Sequence, residues 1–273
     1  MKKIFAIAAL MFLAIYPALA NQQAPAQPIA ACSSQAPWGF PQIAHNGVTL
    51  CRHAYAVFVD PIAKIPLWVV YTLTPEHALG CLPRSNAFAA DQSMPGSATP
   101  QDYAGSGFDQ GHNVSDGDMS FDQQAETESF LMTNMSPQAP SFNRGIWKLL
   151  ETSVRGWAVE TGHTFTIYVG NIYGPGDRTI GHGVVVPHAM YKIVIDDNTK
   201  QIAAWVIPHI TPYPNLGNDL TKFRMPFAQV QQITGIVFGL PSDASELAVG
   251  HEWSVDFGVL TKSKKVKCGT SVE

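Results

Sequence analysis

Five short, β-branched apolar runs set the architecture of this chain, and one long polar interruption divides them. The runs at 55–59, 67–73, 164–169, 190–195 and 203–207 have the length and composition of strands. Between the second and third lies segment 74–142, rich in Gly, Pro, Ser and Asp. Compact domains rarely hold so long a connection unless it is functional or carries short helices. One strong helical pattern follows over 143–160, with Thr161-Gly162 as its stop. Ile146, Leu149, Leu150, Val154 and Trp157 recur three and four apart and mark its buried face. Asn143, Trp147, Glu151 and Arg155 lie four apart on a second stripe, where only Trp147 is apolar and chemistry has room.

The ends of the chain bound its environment. Residues 1–20, MKKIFAIAALMFLAIYPALA, read as a secretory signal peptide: Lys2 and Lys3 begin it, an apolar run follows, and Ala18-Leu19-Ala20 forms the cleavage pattern. The run is short for a bilayer span of about 20 residues and Pro17 interrupts it, which argues against a retained anchor. No later stretch is long and apolar enough to span a membrane. Residues 21–31, NQQAPAQPIAA, read as a flexible lead-in, leaving 32–273 as a single domain with its own core. The expectation is therefore an exported protein, periplasmic or secreted.

Export also decides how the cysteines are read. Cys32, Cys51, Cys81 and Cys268 are an even set, and an oxidising compartment favours two disulfides. The expected pairing is Cys32 with Cys51, closing a short loop, and Cys81 with Cys268, tying down the C-terminal tail. CxxC spacing is absent, which argues against a cysteine zinc site. Of 17 Lys and Arg against 21 Asp and Glu, the leader removes Lys2 and Lys3, so the mature balance is 15 to 21, a formal charge of −6. Such a chain has no whole-surface grip on a polyanion, which must instead be held by a local basic site plus metal.

The densest polar group runs from Phe108 to Glu151. His112 follows Gly111 in what reads as a loop flanked by Asp109 and Asn113, where an imidazole is presented to solvent with its ordinary near-neutral pKa. Other features carry less. Asp116-Gly117-Asp118 lacks the rest of a calcium loop and reads as a solvated turn. Gly105-Ser106-Gly107 is followed by Gly111, the wrong spacing for a dinucleotide loop. His182 and His188 have no third ligand and read as structural, and Lys262, Lys264, Lys265 and Lys267 read as a solvated charge run.

Taken together, the motifs resemble the ββα-metal nucleases of the DNA/RNA non-specific endonuclease family. The signature Asp-Arg-Gly-His stands here as Asp109-Gln110-Gly111-His112, followed by Thr133-Asn134-Met135-Ser136-Pro137-Gln138, then Asn143, then Glu151 eight residues on. Upstream, Tyr71-Thr72-Leu73-Thr74 and Arg84, Phe88 and Asp91 fit the pattern, as does the strand that begins near Val186-Pro187-His188; the likeness covers roughly 55–207. The resemblance implies an α+β fold of the His-Me finger type, with a mainly antiparallel central sheet flanked by helices.

It further implies His112 as general base, Asn143 as direct metal ligand and Glu151 acting through the metal's waters. The expected cofactor is Mg2+, with Mn2+ or another divalent ion as substitute. DNA and RNA are the implied substrates, cut to 5′-phosphate products. Arg84 is the cation for the transferring phosphoryl group. Arg155 either positions phosphate or forms an i,i+4 ion pair with Glu151. Asn134 lies near the site in this reading, although Asn-Met-Ser also fits a glycosylation acceptor. Asp109, Gln110 and Arg144 are candidate substrate contacts. The departure is Gln110, where the signature has arginine. It leaves a second class in play, a protein that binds nucleic acid on the same fold without cutting it. Nothing in the sequence marks an oligomer interface.

Overall fold

The structure, a computed structural model, describes residues 29–210 and 212–269; the expected leader at 1–20 and lead-in residues 21–28 lie outside them. The end of the lead-in is not irregular, because a 3-10 segment, Ile29–Gln35, already carries the chain to Cys32.

In chain order the strands are β1 Val48–Cys51, β2 Tyr55–Asp60, β3 Ile65–Leu73, β4 Asp109–His112, β5 Met135–Gln138, β6 Phe165–Ile172, β7 Thr179–Ile180, β8 Val184–Val185, β9 Ala189–Asp196, β10 Gln201–Pro208 and β11 Ser245–Glu246. Seven of them form the central sheet in the order β1-β2-β3-β6-β9-β10-β11. Every pairing in it is antiparallel except the short β10–β11 contact. The five predicted strands are its five inner members. They were visible because helices or loops cover both faces, which leaves nearly continuous apolar runs.

Alternation along those strands sorts two cores. Val69, Tyr71 and Leu73 of β3, with Met190 and Val194 of β9 and Trp205 of β10, pack on one face. Trp68 and Val70, with Tyr191, Ile193 and Ile202, pack on the other. The first face is covered by α5, Lys148–Thr161. Strand parity places Lys192, fully buried, on that same face between Met190 and Val194.

Segment 74–142 carries four short helices, α1 Pro75–Ala78, α2 Pro100–Tyr103, α3 Asp116–Met119 and α4 Gln123–Ser129, and an antiparallel ribbon of β4 and β5. Local chemistry starts the helices: Thr74 Oγ1 accepts from His77 N, and Asp122 accepts from Gln124 N and Ala125 N. The ribbon needs Gly111, since a Cβ there would lie 2.1 Å from the Gln138 side chain.

The helix expected over 143–160 is not one α-helix. It opens as a π turn, Phe142–Trp147, in which Gly145 leaves helical geometry, and becomes α-helical only in α5. Its end is as expected, with Gly162 capping in the left-handed region. Helices α6, Phe227–Thr234, and α7, Phe257–Cys268, follow the sheet. Both expected disulfides are present, Cys32–Cys51 and Cys81–Cys268. No helix among the described residues is long and apolar enough to cross a membrane.

Candidate active site

His112 is the last residue of β4 and only 7% exposed, so the expected solvent-facing loop is corrected to a buried strand position. Its ring packs edge-on against Phe130 at 4.9 Å and Phe88 at 5.7 Å. Burial, reinforced by the Arg84 guanidinium, pushes its pKa down to about 3. The imidazole is thus neutral at physiological pH, able to accept a proton. Nε2 is buried without a hydrogen-bond partner among the described residues. An orphaned polar atom of this kind is costly and calls for a functional account. Arg84 reaches the site over the same rings, 5.0 Å from the Phe130 centroid, while its guanidinium is ion-paired to Asp116.

Strand β4 also carries Asp109, which ties the base to the next element. Asn143 Nδ2 donates to Asp109 Oδ2 at 2.9 Å. Arg144 grips the same carboxylate with two bonds, Nε to Oδ2 at 2.9 Å and Nη2 to Oδ1 at 2.6 Å. Asp109 and Arg144, expected as substrate contacts, are therefore partners of each other. With its NH2 group held, the Asn143 amide presents its oxygen in a fixed direction. Gln110 lies between, on the same face of β4 as His112 by strand alternation.

The π turn sets how Asn143 relates to Glu151. In a straight α-helix residues eight apart are offset by about 80° around the axis and about 12 Å along it. Here the chain kinks at Gly145 between the two residues, so that regular helical offset does not apply to them. Burial raises the Glu151 carboxyl to about 7, against the opposing pull of Lys192 and Arg155, with Asp118 and Asp116 adding to the rise.

Of the two roles open to Arg155, the i,i+4 ion pair with Glu151 does not form. Its Nη1 donates to Asp118 Oδ1 at 2.8 Å and Ser115 Oγ at 3.1 Å. Asp118 Oδ2 accepts from the Tyr71 hydroxyl at 2.6 Å. Asp118 is fully buried on α3, which corrects the solvated-turn reading of Asp116-Gly117-Asp118. Lys192, unmarked by the sequence reading, holds its ammonium 5.0 Å from the Trp147 ring centroid with no hydrogen-bond partner among the described residues. Burial lowers its pKa, opposed by Glu151. A lone charge at an inward position of an apolar strand was the available signal.

The remaining expected residues act at a distance or elsewhere. Asn134 is fully buried, and its amide is spent on backbone: Oδ1 accepts from Val114 N, and Nδ2 donates to the carbonyls of Val114 and Ser129. It braces the end of β4, and its burial disfavours glycosylation. Asp91 clamps Arg52 and Thr133. His182 and His188 do not face a common ligand; each pairs with its own carboxylate, Asp102 and Asp177 respectively.

No group of three or more His, Cys, Asp or Glu side chains that could hold a metal occurs among the described residues. The donors on offer are one amide oxygen, from Asn143, and the Glu151 carboxylate along the same helix. That set fits a hard ion that keeps most of its waters, such as Mg2+, and needs no carboxylate cage.

The chain has relatives of known sequence and structure. The family described as DNA/RNA non-specific endonuclease matches residues 39–244. A mitochondrial nuclease EXOG of Xenopus laevis is 25% identical over 219 residues, 74% of this chain and 60% of that protein's length. A nuclease of Nostoc sp. is 30% identical over 204 residues, 69% of this chain and 72% of the relative. Among solved structures, endonuclease G in an EndoG/EndoGI complex superimposes with a TM-score of 0.67 at 26% identity, covering 78% of this chain and 92% of that one. The α+β architecture, the antiparallel sheet and the ββα order of ribbon and helix agree with that likeness. This chain belongs to the DNA/RNA non-specific endonuclease family.

Proposed function

We propose that the protein is an exported, divalent-metal-dependent endonuclease that hydrolyses phosphodiester bonds in DNA and RNA with little sequence preference. The observation that carries the reading is the linkage through β4, which bears a neutral, unpartnered imidazole at His112 and, at Asp109, the carboxylate that orients Asn143.

In this mechanism His112 takes a proton from the attacking water through a ring nitrogen. A base of low pKa is weak, but a bound phosphodiester offsets the Arg84 charge and strengthens the imidazole as substrate arrives. Arg84 faces the transferring phosphoryl oxygens. The Asn143 oxygen would hold the ion, and Glu151 would orient its waters. When bound, Mg2+, or Mn2+ or another divalent ion in its place, supplies Lewis-acid stabilisation of charge on the phosphate and the departing 3′ oxygen. Cleavage in this sense leaves 5′-phosphates. Contacts confined to the backbone carry no base information, which accounts for low sequence preference.

The test is cleavage of supercoiled plasmid and structured RNA with Mg2+ and with EDTA. The wild type should degrade both only with metal. His112→Ala should lower kcat by about 10²–10⁴-fold, and Asn143→Ala should raise the Mg2+ concentration needed for half-maximal rate. Tight binding without cleavage across several divalent ions would instead establish a nucleic-acid-binding protein, the reading that Gln110 and the −6 balance leave open.

A further inference from the structure

Helix α7 lies beyond residue 244, where the family match ends, yet it is bonded to the edge of the candidate site: its Cys268 is joined to Cys81, three residues before Arg84. The sequence reading treated its lysines as a solvated charge run, but the fold gives them specific surroundings. Lys264 is partly buried and within electrostatic reach of Arg155, Asp118 and Asp116, the last of which holds Arg84. Lys267 Nζ donates to the Glu76 carbonyl of α1 at 3.1 Å. Lys262 and Lys267 flank an open groove of about 540 Å³ whose other lining residues are Leu79, Val259, Ser263 and Val266. Val266 is 80% exposed there, an apolar side chain with no cover.

We propose that this groove is an accessory site for a single-stranded stretch of nucleic acid leaving the cleavage centre, with lysines on its phosphates and the apolar floor against its bases and sugars. The inference rests on the nuclease reading above. Charge complementarity supports it. In a chain with more acid than base, four of the 17 Lys and Arg fall in the 12 residues of α7. Three acids near α7 are engaged, Asp116 by Arg84, Asp118 by Arg155 and Glu160 by the backbone N–H of Asp256, while Glu76, beside Lys267, is exposed. Continuity supports it too: the disulfide ties α7 to the segment that carries Arg84, and Lys264 lies within electrostatic reach of Asp116, the partner of Arg84. The floor is aliphatic, so phosphates rather than ring stacking supply the affinity.

The experiment uses the disulfide-bonded protein, the double variant Lys262→Glu/Lys267→Glu, and Lys262→Glu alone, which leaves the Lys267–Glu76 contact intact. Fluorescence anisotropy in EDTA reads binding of a long labelled single strand and of a trinucleotide; Mg2+-dependent hydrolysis of both is followed in parallel. The expected result is a roughly tenfold weaker grip on the long strand for the double variant, with a log–log salt slope shallower by about 1–2 units, and a smaller loss for the single variant. Trinucleotide hydrolysis stays at the wild-type rate. Unchanged long-strand affinity overturns the proposal, as does an equal loss on both lengths. So does loss of binding to phosphatidylserine vesicles alone, which would make the groove a membrane contact. Should the wild type cut neither substrate with any divalent ion, the nuclease reading fails, while the anisotropy still decides whether α7 binds strand.

Discussion

His112 shows how one residue's environment sets its chemistry. A histidine of ordinary pKa would be part-protonated near neutrality, whereas burial among Phe88 and Phe130 beside Arg84 keeps this one neutral. The same shift has a consequence for stability. The folded pKa, about 3, lies below the ordinary value of 6.5, so the contribution is full above pH 6.5 and is lost as pH falls from 6.5 towards 3. Over that window this single group costs about 1.4 kcal/mol per pH unit. Glu151 runs the other way: raised from 4.5 to about 7, its contribution is full below 4.5 and is lost as pH rises through 7. Comparing urea unfolding of the wild type and His112→Gln from pH 7 to pH 4 separates them. The wild type should lose more stability than the variant on acidification, and parallel curves would contradict a buried neutral imidazole. The identity of His112 was readable from its motif, but its pKa was not, because the rings and the cation that set it come from positions 84, 88 and 130.

At the scale of elements, β4 and the π turn do the positioning. The alternation that puts His112 on one face of β4 puts Gln110 on the same face. Gln110→Arg should therefore place a cation beside the base, lower KM for nucleic acid, and steepen the log–log salt slope of binding by about one unit. Steady-state cleavage at two or three salt concentrations checks this; an unchanged slope would mean that the position does not face the substrate. The sequence reading foretold the helix, misread in one respect, and took the strand that carries His112 for a loop. Periodicity cannot reveal a π turn, because one extra residue in a turn leaves the three-and-four pattern of Ile146, Leu150, Val154 and Trp157 intact downstream. The short strands β1, β4, β5, β7, β8 and β11 were missed for a related reason: two to four residues are too few to display a period.

For the whole molecule, the two disulfides act over very different spans, 19 residues for Cys32–Cys51 and 187 for Cys81–Cys268. Chain-entropy arguments assign about 3 kcal/mol to the first and about 5 to the second. Replacing Cys81 and Cys268 by serine should thus lower the urea midpoint more than replacing Cys32 and Cys51. The reverse order would show that α7 is held mainly by its packing, for example Leu260, and not by its bond. What the sequence determined by itself was whatever repeats locally or is counted: the inner strands, the buried face and the stop of α5, the even cysteines, and the order of motifs that marks the family. Only the tertiary structure decided that Arg155 pairs with Asp118, that Lys192 sits buried under Trp147, and that Asp109 turns the Asn143 amide. Ion-pair choice and desolvation depend on which distant atoms displace water around a charge, and that depends on how the whole chain packs.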